Sequence, residues 1–209
     1  MPSGKVSSLE ALIIAGLLSL VSFLLVLQTN ELTIGLSFVA LGFALVYPKM
    51  KVWIPFPQLI YGAALAMGAP MAFAAQTGAV PWYAGLLYAA IVSWIIAIDT
   101  MYACPDREDD LRIDIKSTAI FFGNHDRYAV VGFQILTLIL LIALGVVVKL
   151  GVIYYAALVV VVGLTIYQHK VWRELSKDLQ FNVHSFSQLN SFVLLLGIIF
   201  HYKCQNLMQ

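Results

Sequence analysis

Ile98–Gly123 reads IDTMYACPDREDDLRIDIKSTAIFFG, an acidic stretch that directly follows a run of apolar residues. Of the chain's 11 acids, Asp99, Asp106, Glu108, Asp109, Asp110 and Asp114 all fall within it; Glu10, Glu31, Asp126, Glu174 and Asp178 lie elsewhere. Read as continuous helix, Asp99, Tyr102, Asp106 and Asp110 recur at helical spacing and share one face. Carboxylates crowded on one face repel one another unless a cation lies between them. An all-oxygen donor set suits magnesium, which keeps several waters and bridges one or two carboxylates to a phosphorylated substrate. The same residues also read as a solvated acidic loop between two membrane helices. An EF-hand is a worse fit, because the turn glycine and terminal glutamate are not at the required offsets.

Outward from this stretch, the composition sets the solvent. The 209 residues are 61% hydrophobic and 11% charged, with mean hydropathy +0.90. Soluble domains carry about 25% charged residues, so this chain cannot cover a water-facing surface. Its expected surroundings are a lipid bilayer. Apolar runs at Ala11–Leu27, Leu32–Tyr47, Leu59–Ala75, Pro81–Ile98, Ala129–Val148, Val152–Tyr167 and Ser191–Tyr202 predict seven spanning helices, the last of them short. The fold class is therefore all-α, a multi-spanning helix bundle, with residues 1–209 forming a single membrane-embedded domain. No cleavable secretory signal is expected at the start.

Basic residues are distributed unevenly between the two ends of the bundle. Lys5, Lys49, Lys51, Arg107, Arg112, Lys116, Arg127, Lys170, Arg173 and Lys177 fall on one side, and only Lys149 and Lys203 on the other. The positive-inside rule places the acidic stretch at the cytoplasmic end. Cys104 and Cys204 fall on opposite sides and cannot pair; Cys104 reads as a packing residue. His125, His169, His184 and His201 have no metal-ligand spacing. No span carries a charge in its interior, which argues against a transporter.

Local signals add detail. Ser7 and Glu10 match a capping box, and Gln28–Glu31 is short enough only for a tight turn between helices. Pro70 is expected to kink the third span and Pro105 to split the helix between Tyr102 and Asp106. Lys49 and Lys51, at the end of a span, read by themselves as contacts to lipid headgroups.

The acidic stretch resembles the second aspartate-rich motif, DxxYAxxDxxxD, of the UbiA-type intramembrane prenyltransferases: here Asp99, Tyr102, Ala103, Asp106 and Asp110, followed by Lys116, Ser117 and Thr118. VYPKMKVWIPFPQLIYGAALAMGAPMAFAA, from Val46, is similar to another block of that family, with Tyr47, Pro48, Met50, Lys51, Pro57, Gln58, Gly62, Pro70 and Met71 aligned. Asp114 departs from it, standing where the family often has glycine. Phe186 and Asn190 correspond loosely to a later segment. The wording is nearest to the branch that prenylates 4-hydroxybenzoate for ubiquinone; menaquinone and haem prenyltransferases share the fold with more distant wording.

The resemblance implies a magnesium-dependent transferase, with metal on Asp99, Asp106 and Asp110. It also implies diphosphate held by Lys116, Arg107, Arg112 or Lys51, and Tyr102 positioning the diphosphate or shielding a carbocation. Its partners would be a polyprenyl diphosphate, 4-hydroxybenzoate and the bilayer, with no nucleic acid. Each buried CH₂ is worth about 0.8 kcal/mol, so a polyprenyl chain must be met in lipid. The setting would be a bacterial cytoplasmic (inner) membrane, or the mitochondrial inner membrane in a eukaryote. Family members have nine spans and a first aspartate motif, whereas this sequence begins at Pro2, Ser3 and Gly4, which resemble the segment just after that motif. The expectation is that Met1 is internal to a longer protein or that the chain is a truncated product. The reading from a different class is a non-catalytic membrane scaffold, for which replacing Asp99 or Asp110 would change nothing.

Overall fold

The computed structural model describes residues 6–174 and 184–207. Pro2, Ser3, Gly4 and Lys177 lie outside them, as do the side chains of Arg173, His184 and Phe186. Every regular element among the described residues is helical: α1 Ser8–Val26, α2 Glu31–Trp53, α3 Gln58–Ala66, α4 Gly68–Thr77, α5 Ala84–Ala103, α6 Arg107–Arg112, α7 Thr118–Phe122, a 3₁₀ turn Gly123–His125, α8 Asp126–Val147, α9 Val152–Glu174 and α10 His184–Leu207. Among the described residues six spans are long and apolar enough to cross a bilayer, counting Gln58–Thr77 as one. The seventh expected run is the core of α10, which extends beyond it at both ends.

The caps follow the sequence signals. Ser7 N–H donates to Glu10 Oε2 at 2.8 Å and Ser7 Oγ accepts from Glu10 N at 3.2 Å, completing the capping box of α1. Asn30 caps α2 through Thr33 N at 3.0 Å, and its Nδ2 donates to Ala74 O at 2.5 Å, fastening the α1–α2 turn to the end of α4. Gly78 ends α4 in the left-handed conformation, φ 71°, where a side chain would be strained.

Two breaks position the site. The third span divides at Met67, three residues before Pro70. Pro70 cannot donate to Ala66 O and its ring crowds that carbonyl, so the helix restarts with Pro70 in the first turn of α4. Pro105 likewise ends α5 at Ala103, and the chain turns before α6 begins at Arg107. The continuous helix on which Asp99, Tyr102, Asp106 and Asp110 would share one face is therefore corrected: the first two stand on α5, Asp106 stands at the N-terminal boundary of α6 without a side-chain capping bond, and Asp110 lies on α6.

Lipid tails are as apolar as leucine, so close packing of small residues matters more here than hydrophobic burial. Ala66 packs with Val92 and Ile96, and a Cβ on Gly62 would lie 3.2 Å from Val92 O, so α3 and α5 touch almost backbone to backbone. Ala90, Leu141, Tyr154 and Leu158 form a core joining α5, α8 and α9, with Leu194 and Ile198 of α10 against it. Tyr154 is fully buried, and its hydroxyl donates to Leu141 O at 2.8 Å. By contrast α1 buries no residue and touches α2 through the Phe23–Phe38 edge contact, 5.7 Å between centroids. A helix apolar all round is suited to lipid.

Candidate active site

The C-terminal ends of α2 and α5, the start of α3 and the segment leading into α7 meet at one end of the bundle. Their junction is a set of buried hydrogen bonds. Gln58, 2% exposed, accepts the Thr118 N–H on its Oε1 at 3.0 Å, 60 residues away in sequence. Thr118 Oγ1 and Thr100 Oγ1 are 2.6 Å apart, and Thr100 Oγ1 donates to Ile96 O at 2.6 Å. Ser117 caps α7 by accepting from Ile120 N at 3.3 Å. The Lys116 N–H donates to Lys51 O at 2.7 Å, filling one of the carbonyls that a helix end leaves without an internal partner. Below this junction Phe56 makes edge contacts with Phe121 and Phe122, each 5.7 Å between centroids.

On this frame sit the charged groups. Tyr47 and Tyr61 stack at 4.9 Å, and Lys51 Nζ stands 5.5 Å from the centre of the Tyr47 ring. The Asp99 carboxylate is within electrostatic reach of both phenols. Asp110 in turn feels Lys51, Asp106 and Asp109. Burial, then the neighbouring Asp106 and Asp109 carboxylates, raises Asp110 above the ordinary carboxylate range, with Lys51 pulling the other way. Lys51 therefore joins the two sets of groups, resting against Tyr47 and acting on Asp110 of α6, while Asp99 of α5 acts on Tyr47 and Tyr61. Tyr102 lies one turn beyond Asp99 and is half exposed.

The four basic residues separate into two pairs. Lys51 and Lys116 are tied together by backbone at the junction. Arg107 instead turns toward α8, where its Nη2 is ion-paired with Asp126 and close to Cys104 Sγ. Arg112 Nη1 is paired with Asp109 at 3.1 Å, both three-quarters exposed. Among the described residues no three His, Cys, Asp or Glu side chains gather tightly enough to hold a metal ion by themselves. The donor chemistry nonetheless fits magnesium. Asp110 and Asp106 form a like-charge pair that a divalent cation relieves, and magnesium needs only one or two carboxylates when phosphate oxygens and water complete its shell.

Cys104 behaves as a packing thiol. It donates to Thr100 O at 3.1 Å, and burial together with Asp126 pushes it up to about 12. His201 Nδ1 accepts from Gly151 N at 3.2 Å, within the turn between α8 and α9. Asp114, at the departure from the family wording, adopts φ 52°, a backbone region that favours glycine.

The sequence pattern of the UbiA prenyltransferase family matches residues 1–193. The chain belongs to that family. Among its UbiA relatives, 4-hydroxybenzoate octaprenyltransferase of Aeromonas hydrophila is 42% identical over 202 residues, covering 97% of this chain and 70% of that protein. The enzyme of the same name from Hahella chejuensis is 48% identical over 198 residues, covering 95% of this chain and 66% of its own length. The chain thus spans about two thirds of the length of these relatives. In fold, the apo structure of a UbiA homologue from Aeropyrum pernix K1 superposes with TM-score 0.80 at 24% identity, over 94% of this chain and 74% of that one. The family wording in this chain is the wording that builds the junction: PQ supplies Gln58, DTMY supplies Asp99 and Thr100, and KST supplies the cap and the Thr118 N–H.

Proposed function

We propose that this protein transfers a polyprenyl group from its diphosphate to the ring of 4-hydroxybenzoate, a step of ubiquinone synthesis, and that it does so with magnesium. The observation that supports the reading is the junction, where a backbone bond joins the Lys116 and Lys51 segments, Gln58 holds the Thr118 N–H, and Asp110 feels the charges of Lys51 and Asp106. Relatives that bear the name 4-hydroxybenzoate octaprenyltransferase support the choice of substrates. The charge asymmetry and the bacterial relatives support a bacterial inner membrane with this end toward the cytoplasm.

In this reading Asp99, Asp106 and Asp110 hold the metal. A magnesium ion held there would supply positive charge to offset that of the diphosphate leaving group. Lys51 and Lys116 hold non-bridging diphosphate oxygens, and the backbone bond between their segments fixes the two main-chain points from which the side chains reach. The C–O electron pair leaves with the diphosphate; an electron-rich ring carbon of 4-hydroxybenzoate forms the new C–C bond and loses its proton. Tyr102 and the Tyr47–Tyr61 stack flank the reacting end with π-faces, which favour a nearby cation. Arg107 and Arg112 act from further out, since each already has an acidic partner.

The test is transfer of a polyprenyl group to radiolabelled 4-hydroxybenzoate in membranes that contain the protein and no other such activity. The expected result is a prenylated product that disappears with chelator, returns with magnesium, and is lost in Asp99→Ala and Asp110→Ala variants that keep their helix content. A folded protein with no transfer, or transfer indifferent to chelator and to both substitutions, overturns the proposal.

A further inference from the structure

A groove of 810 Å³ runs between α8 and α9, away from the junction just described: none of Lys51, Asp99, Asp110 or Lys116 lines it. Its walls are apolar, from Ile135 and Leu138 on α8 and Val162 and Ile166 on α9. Ile135 and Ile166 are more than half exposed, so the groove opens to the lipid side of the bundle. Its polar features lie toward one end. Lys170 is at the rim and His169 and Gln134 lie beside it. Arg127 stands one turn above Val131 on the same face of α8, and its guanidinium rests 5.7 Å from the Trp172 ring, which brings it to the Lys170 end of the helix pair.

Gln134 is the second observation. It is 3% exposed and lines the groove, and its Oε1 lies 2.5 Å from His169 Nε2 while its amide nitrogen has no partner. Exchanging the two ends of the amide leaves the oxygen orphaned instead. In either case a polar atom at membrane depth is unsatisfied, which is costly unless a ligand atom completes it.

We infer that this groove binds an acidic glycerophospholipid, its phosphate at Lys170 and Arg127, an oxygen of its headgroup or ester region at Gln134, and an acyl chain between Leu138 and Val162. Charge complementarity selects the occupant. Basic pockets between helices at the cytoplasmic end of a membrane protein attract anionic headgroups, whereas a zwitterionic lipid carries its own cation, which offsets what its phosphate gains from Lys170 and Arg127.

The experiment is native mass spectrometry of the intact chain, loaded with phosphatidylglycerol or phosphatidylcholine of identical acyl chains. One phosphatidylglycerol is expected to survive delipidation in preference to phosphatidylcholine. Lys170→Ala should lower its retention about fivefold, the usual worth of one basic residue at an acidic membrane surface. Lys49→Ala, at the end of another span, should leave it unchanged. Gln134→Leu should also lower retention; if that variant does not fold, the exposed Lys170 carries the test. Equal retention of the two lipids, equal effects of Lys170→Ala and Lys49→Ala, or displacement of the lipid by farnesyl diphosphate overturns the inference. Lipid retention requires no prenyl transfer, so its outcome is independent of the activity assay.

Discussion

Replacing Gln58 by Leu should loosen the junction without emptying it. In the parent the Thr118 N–H donates to Gln58 Oε1 at 3.0 Å, and Thr118 is fully buried, so no water can take over when the acceptor is removed. Leaving a buried N–H without a partner costs about 1–3 kcal/mol. Leu nearly matches Gln in volume, so little is added for a cavity. At 1.4 kcal/mol per tenfold, the loss corresponds to a fall of about 5- to 150-fold in the folding equilibrium. Two readouts follow. Unfolding by a denaturing detergent in mixed micelles should begin at lower detergent fraction. The KM for polyprenyl diphosphate should also rise, because Lys116 lies two residues from Thr118 and is held by the same segment. Leu59→Ala, at an exposed neighbouring position, is the control. Thr100→Val removes the other side-chain anchor of Thr118, and the double variant should cost less than the two singles together, since a start of α7 already freed has less to lose. Parental stability together with an unchanged KM in Gln58→Leu would refute the reasoning.

Three further outcomes are expected. Asp114→Gly should stabilise the protein by about 0.5–1 kcal/mol in the same unfolding assay, since φ 52° strains Asp and not Gly. Gly197→Ala should destabilise it by about 1–3 kcal/mol, because the new Cβ would collide with Ala157 Cβ; Ala157→Gly in the same chain should restore stability. Asp110 is raised by burial and by Asp106 and Asp109, so it loses its charge at a higher pH than an ordinary aspartate, and metal-dependent transfer should begin to fall there as pH drops. Asp109→Asn removes one of the raising charges and should move that acid limb to lower pH in a pH–rate profile.

Much of this was legible in the sequence because the bilayer forces it. Apolar runs of spanning length have to be helices in lipid, where unpaired backbone is prohibitive, and α1, α2, α5, α8 and α9 appear where those runs stand. The prolines were legible as breaks, although Pro70 breaks its helix upstream at Met67, since the carbonyl it fails to serve lies four residues back. The single face for Asp99, Tyr102, Asp106 and Asp110 did not survive, because helical spacing assumes an unbroken axis and Pro105 supplies a turn. Lys51 and Lys116 could be named from the family wording, but their attachment could not, since a backbone bond between residues 65 positions apart leaves no trace in side-chain type. Gln58, Thr100 and Thr118 were missed as positioning residues; the signal available was a glutamine and two threonines in otherwise apolar surroundings, where polar atoms need partners. Arg107 and Arg112 looked equivalent to the lysines by charge alone, and only the placement of Asp126 and Asp109 separates them.

The bond from Lys116 N–H to Lys51 O has an evolutionary consequence, because neither atom belongs to a side chain. Any residue except proline at either position preserves it, since proline lacks the N–H needed at 116 and would break the last turn of α2 at 51. Mutation can therefore exchange, neutralise or reverse the charges at these two positions while the loop keeps its place on the end of α2. Substrate preference at this end of the bundle is free to drift across generations without first passing through a misfolded ancestor.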